Sequence, residues 1–173
     1  MTEQSETETG LVLPSNWYSV ACEVCTRWND GVKWTSDLKN YGVAERWVSL
    51  PPEALVSGFA YEDCDGIAMS KGAELMDRHG WPRSCLTLVY CLTKPGHFDT
   101  GHILLGILPD GPNGSRMYCD DQPMGRLNRV MPWDWYRDAA GYQIISRSTP
   151  GEPIDAPWQD IRDGMPRQHL SGA

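Results

Sequence analysis

One of the chain's six cysteines stands where a thiol can act as a nucleophile. Cys64 follows Tyr61-Glu62-Asp63 and opens the run Asp65-Gly66-Ile67-Ala68. A thiol attacks as its thiolate. The first turn of a helix favours that form, because its free N–H groups and the helix dipole stabilise negative charge. Cys85, Cys91 and Cys119 fall in apolar, strand-like segments, where a thiol behaves as a small hydrophobe. Position alone leaves Cys64 equally readable as a packed core thiol, since it projects onto the same side as Ile67, Ala68 and Leu75.

A nucleophilic thiol needs a base, most often His. Of four histidines, His79 ends the expected helix, His97 lies in a Pro-Gly loop and His169 in the tail. His102 alone opens an apolar run, where an unpaired imidazole is costly. If 101–108 and 116–121 form a hairpin turning near Gly111-Pro112, position 102 falls opposite 120 or 121. Opposed residues share a face of the sheet. Asp120 or Asp121 then stands beside the ring, fixing its tautomer and leaving the other nitrogen for the thiol. Geometry leaves that choice open.

The elements that must carry these residues follow from period and punctuation. Residues 64–79 read as a helix with Ile67, Ala68, Gly72, Leu75 and Met76 on one face and Lys71, Glu74, Asp77 and Arg78 on the other. Asp63 is placed to cap its start, and Gly80 with Pro82 to stop it. Runs 85–92 and 101–108 read as buried strands, 109–115 as a dense turn, 116–121 as a third strand and 142–147 as a strand closing the sheet. Residues 16–52 read as helix and loop. The expected class is α+β, a nucleophile helix on an antiparallel meander. Residues 1–10 and 149–173 read as tails flanking one domain over 11–148 of the 173 residues.

Composition narrows the partners. The net charge is −8, with no basic run, which argues against nucleic acid and anionic membranes. No apolar stretch is long enough to span a bilayer. The polar, acidic first ten residues lack the basic start and apolar stretch of a secretory signal. The expectation is therefore a cytoplasmic protein with free thiols, or one with a phage-associated route of delivery. Cys22 and Cys25 form a CxxC without the second ligand pair that a zinc site needs. Oligomeric state is not readable.

The stretch Asp63-Cys64-Asp65-Gly66-Ile67-Ala68-Met69-Ser70-Lys71, with Glu74-Leu75, Gly80-Trp81-Pro82 and Leu86-Thr87-Leu88-Val89, resembles the bacterial transglutaminase-like cysteine proteinases. So do Gly101-His102-Ile103-Leu104-Leu105 and Cys119-Asp120-Asp121, where that family usually shows Asp-Asn. Upstream, Val32-Lys33-Trp34 with Asp37, then Tyr41 to Trp47 and Pro51-Pro52-Glu53, are also similar. The resemblance implies a papain-related fold over 28–147, a nucleophile at Cys64, a base at His102 and an acid at Asp120. It also implies acidic calcium ligands flanking the nucleophile, here Asp63 and Asp65, although position 65 is usually Glu in that branch. No other cofactor is implied.

The expected reaction is acyl transfer on a protein or peptide. Cys64 attacks an amide carbonyl, His102 protonates the leaving amine, and water then releases the acyl group. The backbone N–H of Cys64 is a candidate oxyanion donor. Cell-wall peptide hydrolysis and transamidation use the same groups. Trp47 and Tyr61 are candidate walls of the cleft. A non-catalytic module on the same fold, binding through a tryptophan-rich surface (the chain has eight Trp), is the reading from another class.

Overall fold

The computed structural model describes residues 12–42, 46–58, 60–122 and 129–150. The 1–10 tail and nearly all of the 149–173 tail, His169 included, lie outside the described residues.

Helix α1 (Trp17–Gly31) buries Ala21, Val24, Cys25, Trp28 and Asn29, a spacing that lines one helical face. The CxxC therefore lies within a helix, with Cys25 on the inward side. Helix α2 (Asp37–Tyr41) is one turn, closed by Gly42 at a φ of 74°. Helix α3 (Glu53–Ser57) follows Pro51-Pro52. Two short strands that the sequence did not signal, β1 (Lys33–Trp34) and β2 (Tyr61–Glu62), pair in parallel.

Helix α4 (Cys64–Asp77) matches the expected nucleophile helix. It is buried almost all round rather than on one face: Lys71 and Glu74, expected on a solvated side, are both in the interior. Each found a distant partner. Glu74 accepts hydrogen bonds from Trp28 Nε1 at 2.6 Å and from Arg27. Lys71 Nζ lies 2.7 Å from Asp120 Oδ1.

The remaining strands, β3 (Leu86–Leu92), β4 (Gly101–Ile107), β5 (Tyr118–Asp120), β6 (Val130–Pro132) and β7 (Gln143–Arg147), build one antiparallel sheet in the order β6-β5-β4-β3-β7. The meander and the closing strand at 142–147 are as expected; β6 is additional. Before β7 the chain makes α5 (Trp133–Trp135) and a π-helical stretch to Ala140.

Burial on both faces explains why β3 and β4 are near-continuous apolar runs. On one face Leu88, Tyr90, Leu92, Ile103, Leu105 and Ile107 pack with α1 and α4. On the other, Val89, Cys91, Leu104 and Cys119 pack with Tyr136 and Tyr142. No helix among the described residues is long and apolar enough to cross a membrane.

Candidate active site

Cys64 is the first residue of α4, half-buried, with Asp63 at the N-cap position. Asp63 makes no side-chain cap bond, so the capping role expected for it is not the one it has. His102 is the second residue of β4 and 5% exposed. Its Nε2 lies 2.7 Å from Oδ1 of Asp121.

Asp121, and not Asp120, is thus the carboxylate on the histidine. The ladder pairs Leu105 with Asp120, so Asp121 falls across from Leu104. Leu104 and His102 share a face because strand side chains alternate. Asp120 points through the sheet to the opposite face and meets Lys71 beneath α4. The expected register was short by two or three positions: the ladder carries position 102 beyond 121, and His102 reaches Asp121 diagonally.

Three donors converge on the Asp121 carboxylate. Oδ1 accepts from the Gln122 backbone N–H at 2.7 Å, and Oδ2 from the Tyr142 hydroxyl at 2.9 Å. Because Oδ1 already serves as an acceptor, His102 Nε2 is the donor toward it. The lone pair is then on Nδ1, the nitrogen available to take a proton from a thiol. The Asp121 carbonyl is also fixed, by Lys71 Nζ at 3.0 Å and Asn29 Nδ2 at 3.0 Å.

Gln122 joins the start of α4 to β4. Its Nε2 donates to the carbonyl of Cys64 at 2.6 Å and to the carbonyl of Ile103, next to His102, at 2.7 Å. Tyr90 pairs with Ile103 across β3 and β4. Burial pushes its hydroxyl up to about 12, with smaller contributions from Cys91 and Cys64. Burial likewise raises the thiols of Cys25, Cys91 and Cys119, which makes them poor nucleophiles. Trp47 is half-buried against the main core, and Tyr61 is half-buried with Lys33 Nζ 5.4 Å from its ring centre.

Beside Cys64 lies a carboxylate cluster. One oxygen from each of Asp37, Glu62 and Asp63 falls within 4.8 Å of the others. Asp37 Oδ1, Glu62 Oε2 and Asp63 Oδ1 are buried without a hydrogen-bond partner among the described residues. Burial and mutual repulsion raise Glu62 to about 7 and Asp37 to about 6, against the pull of Arg46 and, at Glu62, the Tyr41 hydroxyl. Tyr41 donates to Glu62 and the Arg46 backbone N–H to Asp37, each on the other oxygen. Three carboxylates that each offer an oxygen within 4.8 Å of the others, and that each carry an unpaired buried oxygen, fit a hard cation. Of the two expected ligands, Asp63 belongs to this cluster. Asp65 is buried in the first turn of α4 and is not part of the group.

Gly66 makes the cluster possible, because a Cβ there would collide with the Glu62 carboxylate. Asp37 entered the sequence reading only through the upstream stretch of the resemblance, and neither Asp37 nor Glu62 was expected as a ligand. Gln122 and Tyr142 were not foreseen either, since both act through contacts between residues far apart in the chain.

No protein-family model matches this chain, nor does any curated protein. Among solved structures it is similar to Legionella pneumophila LapG, at a TM-score of 0.54 and 18% identity over 79% of this chain and 67% of that one. Calcium-bound Legionella pneumophila LapG gives 0.56 and 18% over the same shares. At this identity the likeness establishes the fold alone: α+β, with the architecture of LapG.

Proposed function

We propose that this chain is a thiol hydrolase that cleaves an amide bond in a protein or peptide through an acyl-enzyme, with Cys64 as nucleophile, His102 as base and Asp121 as the residue that orients the base. The observation that carries this reading is the buried His102 Nε2–Asp121 Oδ1 hydrogen bond on the strand that Gln122 ties to the start of the Cys64 helix. The LapG-like fold supports it.

His102 Nδ1 takes the Cys64 proton. The thiolate forms at the positive end of α4, where the helix dipole favours it. Attack on the amide carbonyl gives a tetrahedral oxyanion, for which the Cys64 N–H is the candidate donor. The imidazolium, held by Asp121, protonates the leaving amine. Nδ1 then draws a proton from water as it attacks the thioester, and Cys64 is released. A carboxylate held by three donors keeps the ring in one orientation through both half-reactions.

Asp37, Glu62 and Asp63 would hold calcium. Its positive charge would offset their repulsion and fix the segment leading into Cys64. The calcium-bound LapG structure supports this choice of ion.

The test is peptide-resolved labelling with iodoacetamide at pH 6. Cys64 should label ahead of the other cysteines, and His102→Ala should abolish that lead. Equal, slow labelling of all six would refute the hydrolase reading.

A further inference from the structure

Resting on that hydrolase reading, we infer that Gln122 is a positioning residue whose amide sets the spacing between the nucleophile helix and the strand of the base. A nucleophile at a helix start and a base on a strand belong to different elements. Something must hold the two at proton-transfer distance, and general packing does so loosely. Here a single nitrogen spans them, with one N–H on the Cys64 carbonyl and the other on the Ile103 carbonyl, at 2.6 and 2.7 Å.

The side chain is fully buried, and its bond to the Ile103 carbonyl is buried with it. The amide has one workable orientation: turned over, its oxygen would face two carbonyl oxygens. Gln122 Oε1 finds no partner among the described residues. The side chain thus bears the cost of an unpaired buried oxygen while its nitrogen holds both neighbours.

The same residue reaches the third member of the site by a separate route. Its backbone N–H donates to Asp121 Oδ1. Side chain and backbone therefore do different jobs: the amide spaces Cys64 from β4, and the N–H orients the carboxylate. Replacing the side chain removes the first and leaves the second. A residue that merely filled space would not separate them.

Gln122→Met keeps the length and volume and removes the donor. The variant is made alongside the wild type and His102→Ala, and circular dichroism verifies folding. Two quantities are read: the rate of Cys64 alkylation by iodoacetamide at pH 6, and the imidazole 15N spectrum of His102. The expected result is a Cys64 rate lower by roughly 10- to 100-fold, the scale of a small misplacement of reacting groups, with the Nε2–H signal of the Asp121 bond retained. Gln122→Met labelled at the wild-type rate would overturn the inference and leave the hydrolase reading intact. Wild type labelled no faster than His102→Ala would overturn both. If Gln122→Met does not fold, Gln122→Asn keeps the amide and shortens its reach. The same drop in rate with the same retained signal supports the inference, and an unchanged rate overturns it.

Discussion

The hydroxyl of Tyr142 donates to Oδ2 of Asp121 at 2.9 Å, on the oxygen that His102 does not use. Tyr142 precedes β7, on the far side of the sheet from β5, and packs with Tyr136 beneath the His102 face. A carboxylate anchored at only one oxygen can swing about its Cβ–Cγ bond. Anchored at both, it cannot.

Tyr142→Phe should therefore loosen the His102 ring without dismantling the core. The ring stays and one hydrogen bond goes, for about 1 kcal/mol of stability. Cys64 alkylation at pH 6 should fall several-fold, and the His102 Nε2–H signal should broaden. A variant that loses stability yet labels at the wild-type rate would show that Tyr142 only supports the fold.

Lys71 and Asp120 form an ion pair in which both side chains are essentially inaccessible. Burial raises the Asp120 carboxyl, and the Lys71 ammonium opposes that rise. Removing one partner strands the other charge, so Lys71→Met should cost about 3–5 kcal/mol in urea denaturation. Replacing both, Lys71→Met with Asp120→Leu, should recover most of that loss. Failure to recover would mean that the Lys71 contact with the Asp121 carbonyl, rather than the ion pair, supplies the stability.

That pair also shows where sequence reasoning reached its limit. Helix α4 and strands β3 and β4 were legible because their apolar periods and Gly/Pro boundaries are local. Asp120 and Asp121 differ by one residue, and one residue exchanges the faces of a strand. The choice depended on a turn whose exact centre the Pro-Asp-Gly-Pro-Asn-Gly signal does not fix. Lys71 and Glu74 read as solvent-facing because charge usually is. Their burial depends on partners 49 and 46 residues away, which no helical projection reveals. Cys64 and His102 stood out by elimination among few candidates, because the rival cysteines Cys85, Cys91 and Cys119 sit in plainly apolar segments.

The carboxylate cluster gives the protein a pH dependence of definite sign. Glu62 and Asp37 are raised from ordinary values of 4.5 and 3.8 to about 7 and about 6. Between those limits the folded state binds more protons than the unfolded state, so stability falls as pH rises. Without calcium, the melting temperature should be highest near pH 4 and decline toward pH 7. Millimolar calcium should restore it at pH 7 and do little at pH 4, because the protonated cluster binds the ion poorly. Glu62→Gln should flatten the decline and abolish the calcium response. A melting temperature at pH 7 indifferent to calcium would remove the cation site.

Gly66→Ala separates the cluster from the helix that carries Cys64. Alanine in a helix interior is favoured over glycine by about 0.8–1 kcal/mol, so on propensity alone α4 should gain. The added Cβ would collide with the Glu62 carboxylate, which Tyr41 holds in place, and Glu62 must move off the cluster. That displacement draws the oxygen away from Asp37 and Asp63, relieving repulsion when no ion is present and dismantling the ligand set when one is. The calcium-free melting temperature should therefore change little, while the stabilisation by calcium at pH 7 should disappear. Thermal denaturation with calcium and with chelator reads both. An equal fall in the two conditions would mean that Gly66 is required for packing alone, and that the three carboxylates do not act together as ligands.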